Sequence, residues 1–374
     1  MTVLNPVRTA VGVLILSSCV ALPVIVAAAQ DRRLPDQLDA GAFWQLVVDL
    51  SEPDGFFEDE NYVSNELGYQ RIMQHLQETA TPDGVFVGVG PEQNFAYLGA
   101  LRPKMVFIID IRRQNLIQHL MYKALFELSD DRPAFLQRLF SRQRPPGVDA
   151  DASAEALFRA YGTAPPEQRL FDETLARMLE VLTERHRFAL TTDDRAALRK
   201  VFSAFFSSGP QLMYVFRGTA EKHPTYLQLM TAKDDAGRNW SYLGSSQSYQ
   251  HIRQMHRRNL IVPVVGDFAG PKAIRAVGKY LRDHGEAVSV FYASNVEPYL
   301  FVAGTWRHFY DSLQTVPFTE SAIFVRSFFG STVRECASLR PTVRTPVTSA
   351  VATVLDAYRR GDLRTQCDLV AASR

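Results

Sequence analysis

Cysteine is scarce, at three residues in 374. The three form no paired spacing of the zinc-finger kind, and of the eight histidines only His251 and His256 fall on one predicted helix. Five residues apart, they do not share a helix face as an i, i+4 metal-binding pair does. Gly-x-Ser-x-Gly and Walker patterns are missing too, which removes the sequence marks of a serine hydrolase and of a P-loop ATPase. An excess of charge is also absent: 41 Lys plus Arg stand against 40 Asp plus Glu, a net +1. That balance gives no electrostatic reason to expect nucleic acid or acidic lipid as a partner, so the expected partner is a small-molecule or protein substrate. There is no period of a repeat array. What remains is 46% hydrophobic and 22% charged, the composition of a globular chain rather than of a disordered or many-spanning one.

The first residues differ from that average. Arg8 precedes an uncharged, mostly apolar stretch from Thr9 to Ala29 that ends Val26-Ala27-Ala28-Ala29. This is the layout of a secretory signal over residues 1–29, with cleavage after Ala29 and an exported, periplasmic or secreted, mature protein. An uncleaved anchor is the rival reading, because the stretch approaches the ~20 residues that span a bilayer. A third is a lipid-modified Cys19 in Leu16-Ser17-Ser18-Cys19. On any of these readings the membrane is met only through this segment. Removal of the signal leaves Cys336 and Cys367, which in an oxidising compartment are expected to form a disulfide.

Short apolar runs then alternate with helical periodicity. Val85–Val89, Lys104–Ile109, Leu260–Gly266, Ala287–Ala293 and Ala322–Phe328 read as buried strands. Helical stretches between them imply βαβ units and a mainly parallel sheet. The pattern from Asp130 to about Ser208 is almost wholly helical, and residues 130–250 read as a mainly helical insertion. The expected organisation is thus an α/β, Rossmann-like three-layer domain in two parts, 30–129 and 251–330, with a helical insertion between them. Residues 331–374 follow as a helical tail, with a final helix expected over Val347–Tyr358.

The residues that carry chemistry sit at strand ends. Gly88-Val89-Gly90-Pro91 turns from the first strand into a helix, and Asp110 closes the second strand twenty residues after Gly90. Glycines there admit a ligand close to the backbone, and a carboxylate at that separation suits ribose hydroxyls. Gly266-Asp267-Phe268 and Ser294-Asn295-Val296-Glu297-Pro298-Tyr299 end two further strands, where open α/β sheets bind their ligands. In order and placement these four segments resemble motifs I to IV of the class I S-adenosylmethionine-dependent methyltransferases. The resemblance covers about Ser64–Leu128 and Leu260–Phe328 and leaves the insertion aside.

It implies S-adenosyl-L-methionine as cofactor, with Gly88 and Gly90 beside its methionine part, Asp110 on the ribose, and Asp267 with Phe268 about the adenine. Glu92 and Ser294 complete the implied cofactor-binding set. Asn295 would face the reacting methyl and Glu297 would accept a proton from the substrate. The sequence departs from the family pattern at Phe86, where an acid is usual, and at Glu92, where a small residue is. Together with the export signal, these departures motivate an alternative: an exported, non-catalytic binding or envelope protein that keeps the fold. Arg112, Arg113 and Asn115 follow Asp110 either as an anion-binding group or as a solvated helix start.

Overall fold

All the apolar runs expected as strands become strands of one sheet. The structure is a computed structural model that describes residues 1–3, 33–59, 61–215, 223–341 and 346–373, of which 33–373 belong to one unit. The signal, anchor and lipid-attachment readings fall on residues outside those described. Among the described residues no helix is long and apolar enough to cross a membrane.

The chain opens with α1 (Ala40–Leu50) and α2 (Met73–Thr79), then β1 (Val85–Gly88), α3 (Gln93–Leu101), β2 (Met105–Asp110) and α4 (Arg113–Leu128). The insertion supplies α5 (Arg132–Phe140), α6 (Ala154–Thr163), α7 (Gln168–Leu179), α8 (Thr192–Ser208) and α9 (Tyr226–Thr231), and α10 (Ser246–Arg257) returns the chain to the sheet. The second half runs β3 (Ile261–Val265), α11 (Ala273–Asp283), β4 (Val288–Ser294), α12 (Val296–Val302), α13 (Trp306–Leu313) and β5 (Phe318–Arg326). It ends with α14 (Gly330–Glu335), β6 (Val347–Ala350), α15 (Val351–Arg360) and α16 (Gln366–Ala371).

The sheet order is β3-β2-β1-β4-β5-β6, with β1 to β5 parallel and β6 antiparallel to β5. This is the order of doubly wound nucleotide-binding sheets. Every residue of β1, β2 and β3 is buried, which explains why these strands read as unbroken Val, Ile and Phe runs rather than as alternating patterns. The chain moves outward from β1 to β3 and then starts again at β4, on the other side of β1. A switch point therefore lies between the carboxyl ends of β1 and β4.

The insertion packs through aromatic residues. Phe95 of α3 is met edge-on by Tyr122, Phe126 and Tyr242, and burying such a ring contributes about 1.5–3 kcal/mol. Helix α8 starts at a capping box in which Thr191 and Asp194 bond each other's backbone amides. Asp194 also takes both Nε and an Nη of Arg113, at 2.6 and 2.8 Å, and so ties the insertion to the start of α4.

The C-terminal segment differs from the expected helical tail. Its first four residues of the Val347–Tyr358 run form β6, with Val347 opposite Arg326 and Ala350 opposite Ile323, before the helix begins at Val351. Cys336 and Cys367 are disulfide-bonded, joining the end of α14 to α16.

Candidate functional site

A cleft opens above the carboxyl ends of β1 to β4, at the switch point. Its empty space, counted out into the open solvent at its mouth, is about 890 Å³. Of the residues singled out in the sequence, Gly90, Asp110, Asp267, Phe268, Ser294 and Asn295 line it. Gly88, Glu92 and Glu297 do not.

Gly90 has φ +75°, and a Cβ placed there would meet nothing within 4 Å. The turn therefore needs glycine for its backbone conformation, and it leaves open space against the cleft. Gly88 acts behind it: a Cβ would strike the Asn94 side chain and come within 2.6 Å of the Phe86 ring. The room it leaves is used by Asn94, whose Nδ2 donates to the carbonyls of Val89 and Pro91 at 2.9 and 2.7 Å. His119 also bonds the Gly90 carbonyl, at 2.9 Å. Burial pushes its pKa down to about 4, so the ring is neutral and donates through Nε2–H. Gly88 is thus a packing residue that shapes the turn from beneath rather than a ligand contact.

Asp110 ends β2 facing the cleft. Its Oδ1 accepts from the Arg112 amide at 3.0 Å and from Arg112 Nε at 3.3 Å, while no group among the described residues bonds its Oδ2. Arg112 spans further, donating to the Asp59 carbonyl at 2.8 Å and to the Asn61 side chain, with its guanidinium over the Phe57 ring. Both arginines after Asp110 are accordingly held in internal pairs, Arg112 in the cleft wall and Arg113 with Asp194.

The opposite wall comes from β3. Phe268 stacks on Phe309 with ring centroids 5.3 Å apart and lines the cleft. Asp267 caps its own turn, accepting from the Ala269 amide at 2.9 Å. The amides of Lys272 and Ala273, where α11 begins, are already taken by Glu52 Oε1, each at 2.7 Å.

The third wall is the end of β4. Ser294 Oγ donates to Glu66 Oε1 at 2.5 Å, and Gln93 Nε2 donates to Glu66 Oε2 at 2.8 Å. Glu66 is wholly buried, and that burial raises its pKa against the lowering effect of these bonds. No sequence pattern marks Glu66 as a site residue. Its partner lies 228 residues away, so nothing local marks the pairing.

Two expected site acids belong elsewhere. Glu297 is buried in an ion pair with Arg326 Nε at 2.7 Å and accepts a bond from Tyr310. It lies in the first turn of α12, rotated away from Asn295, and cannot take a proton in the cleft. Glu92 is buried among Tyr69, Tyr122, Tyr226 and Tyr242 with no side-chain partner on either oxygen, and desolvation pushes its pKa up to about 8 against the weaker pull of the Glu92 and Ser64 backbone amides. No cluster of three His, Cys, Asp or Glu able to hold a metal occurs among the described residues.

Residues 62–360 match the model of a family described as a domain of unknown function, DUF7790. No curated protein matches the chain.

Proposed function

The chain belongs to the DUF7790 family, whose description assigns no activity, and from the cleft itself we propose that it binds an adenosine-bearing small molecule, S-adenosyl-L-methionine foremost, as an exported methyltransferase-like protein. The observation that carries this reading is the meeting of all four methyltransferase-like segments in one cleft, with Asp110 Oδ2 left for a ribose hydroxyl. Gly90 adds a backbone cradle that no side chain fills. The residues present fit the group: Gly90 beside the amino-acid part, Asp110 at the ribose, Asp267 and Phe268 about the adenine. When bound, such a cofactor supplies an electrophilic methyl group. The chain's own work is then to hold an acceptor in line beside Ser294 and Asn295 and to keep bulk water out with Phe57 and Tyr299.

Calorimetry on the protein with S-adenosylmethionine and S-adenosylhomocysteine tests the reading. Binding of either, lost in Asp110→Ala, is expected. No heat with either ligand at millimolar concentration overturns it.

A second reading has its own support. Locking Glu297 against Arg326 removes the acid the resemblance implies for proton transfer, which favours a binding or envelope protein on the same fold. Ligand binding without methyl transfer to any acceptor offered distinguishes it. Export is supported by the Cys336–Cys367 disulfide, because such bonds persist in oxidising compartments. The expected N-terminus of the mature protein, read by intact mass and peptide mapping, is Gln30, as glutamine or pyroglutamate.

A further inference from the structure

Left-handed backbone in this chain is confined to helix ends and one turn for its described non-glycine residues, with a single exception. Arg102, Ser141, Arg187, Asn259 and Arg340 close helices, and Asp83 sits in the turn before β1. Ser294, at φ +50°, instead stands where a strand runs straight into a helix. A non-glycine residue held there is strained and persists only where the surroundings impose it. Here the Ser327 amide fixes the Ser294 carbonyl at 2.7 Å, and the pairing of β4 with β5 slips between Tyr292 and Ser294.

That strand-to-helix turn is the arrangement that lifts a serine hydroxyl above the carboxyl edge of an α/β sheet in nucleophile elbows. Tyr292 and Val296 occupy the flanking positions where glycines are usual, so no Gly-x-Ser-x-Gly pattern marks it in the sequence. The hydroxyl is already paired with a base. Ser294 Oγ donates to Glu66 Oε1 at 2.5 Å, Gln93 Nε2 holds Glu66 Oε2 at 2.8 Å, and Gln93 Nε2 lies 3.1 Å from the hydroxyls of Tyr97 and Tyr292. Nucleophile, base and orienting group are the three parts that an activated serine requires. Ser294 Oγ also lies 3.3 Å from Asn295 Oδ1.

We infer that Ser294 is the nucleophile of an acyl-transfer site, with Glu66 as its general base and Gln93 as a positioning residue, acting on a carboxylic ester with an apolar acyl group. The apolar fit comes from Val63, Val89, Phe268 and Leu300 in the cleft wall. In the first step Ser294 Oγ bonds to the carbonyl carbon, its proton passes to Glu66, and the carbonyl π pair moves onto oxygen. Collapse breaks the ester C–O bond, and the departing alcohol takes the proton from Glu66. Water then attacks the acyl-serine, gives a proton to Glu66, and Ser294 leaves carrying that proton. Ester and water become acid and alcohol with no further reactant. This inference uses the same cleft as the adenosine reading, sharing Phe268 and Ser294 with it, but does not rest on that reading and needs no cofactor.

Glu66 must be ionised to act. The titratable groups facing it are the Tyr97 and Tyr292 hydroxyls, both held neutral by burial, so the rate follows the loss of the Glu66 proton as pH rises. The test is labelling of the full chain with a fluorophosphonate, followed by intact mass and peptide mapping. One label on Ser294 is expected, absent in Ser294→Ala. In Glu66→Gln the rate should fall about a hundredfold or more and lose its rise with pH, while Glu66→Asp, which keeps a carboxylate, should recover part of both. Thermal unfolding of each variant separates loss of fold from loss of base. A folded wild-type chain that takes no label on Ser294 after hours in excess probe overturns the inference. So does an equal rate in a folded Glu66→Gln.

Discussion

Ser294 and Asn295 stand in an open cleft, whereas Glu297 is sealed against Arg326 on the C-terminal side of the sheet. The two regions share one strand end and handle polar groups in opposite ways. In the cleft, Asp110 keeps an oxygen without a partner and Gly90 keeps empty space beside it. In the C-terminal annex, Glu297 meets Arg326 and Tyr310, Arg326 also reaches Ser349 and Ser373, and the Cys336–Cys367 bond closes the outer loop. Polar residues with incomplete internal bonding at a strand end mark a place for something else to bind. Acids whose bonds are complete mark architecture, whatever motif they fall in.

Glu92 fits neither description, and it gives the largest expected effect. Its carboxyl, raised from the ordinary carboxylate range to about 8, favours the folded state while protonated. Stability from this group is therefore full below about pH 4.5 and is lost as pH rises through about 8, by on the order of 4–5 kcal/mol. Glu92→Gln should remove that loss, so urea unfolding at pH 9 should show the variant more stable than the wild type. An unchanged pH profile would mean that Glu92 finds a partner.

Arg326→Ala tests the sealed side. It leaves Glu297 buried without its counter-charge and should cost about 3–5 kcal/mol in urea unfolding. The cleft of the surviving folded molecules should still bind its ligand. If binding falls while stability holds, the division between the two regions is wrong. Removing the disulfide, by Cys336→Ser with Cys367→Ser, opens a loop of sequence separation 31 and should cost about 2–4 kcal/mol, again without effect on the cleft. The smallest effect on stability belongs to the open side. Asp110→Ala removes the counter-charge of buried Arg112, which keeps its bonds to Asp59 and Asn61, and should cost about 1.5–3 kcal/mol, while ligand affinity drops at least about tenfold.

The parallel strands were legible because both faces are covered, and the apolar runs are therefore continuous. β6 was not, because four residues at a sheet edge run directly into α15 and read as its first turn. β5 begins earlier than expected, at Phe318, since Thr319, Glu320 and Ser321 are polar yet lie on the exposed approach to the sheet. Within the site, strand-end position was enough to find Gly90, Asp110, Asp267 and Ser294. It failed for Glu297, because a helix turns its side chains about 100° per residue and two steps along α12 reach the other side. Glu66 escaped for a different reason. Its function depends on a bond across 228 residues, and no local pattern of residues encodes such a bond.

The stitching of the N-terminal segment to β3 has a consequence for how the molecule is made. Leu38 bonds the Arg258 carbonyl, Glu52 bonds the Val265 carbonyl, and Glu52 Oε2 holds the Asp267 amide across 215 residues. At about 5–20 residues per second a ribosome needs roughly 10–40 s to deliver those partners. For that time Leu38 and Glu52 lack their β3 partners, while Gly55 and Asp59 already have theirs in Ile111 and Arg112, the latter 53 residues on from Asp59. The segment is therefore pinned first at the end that carries Phe57, and its α1 end settles only once β3 exists.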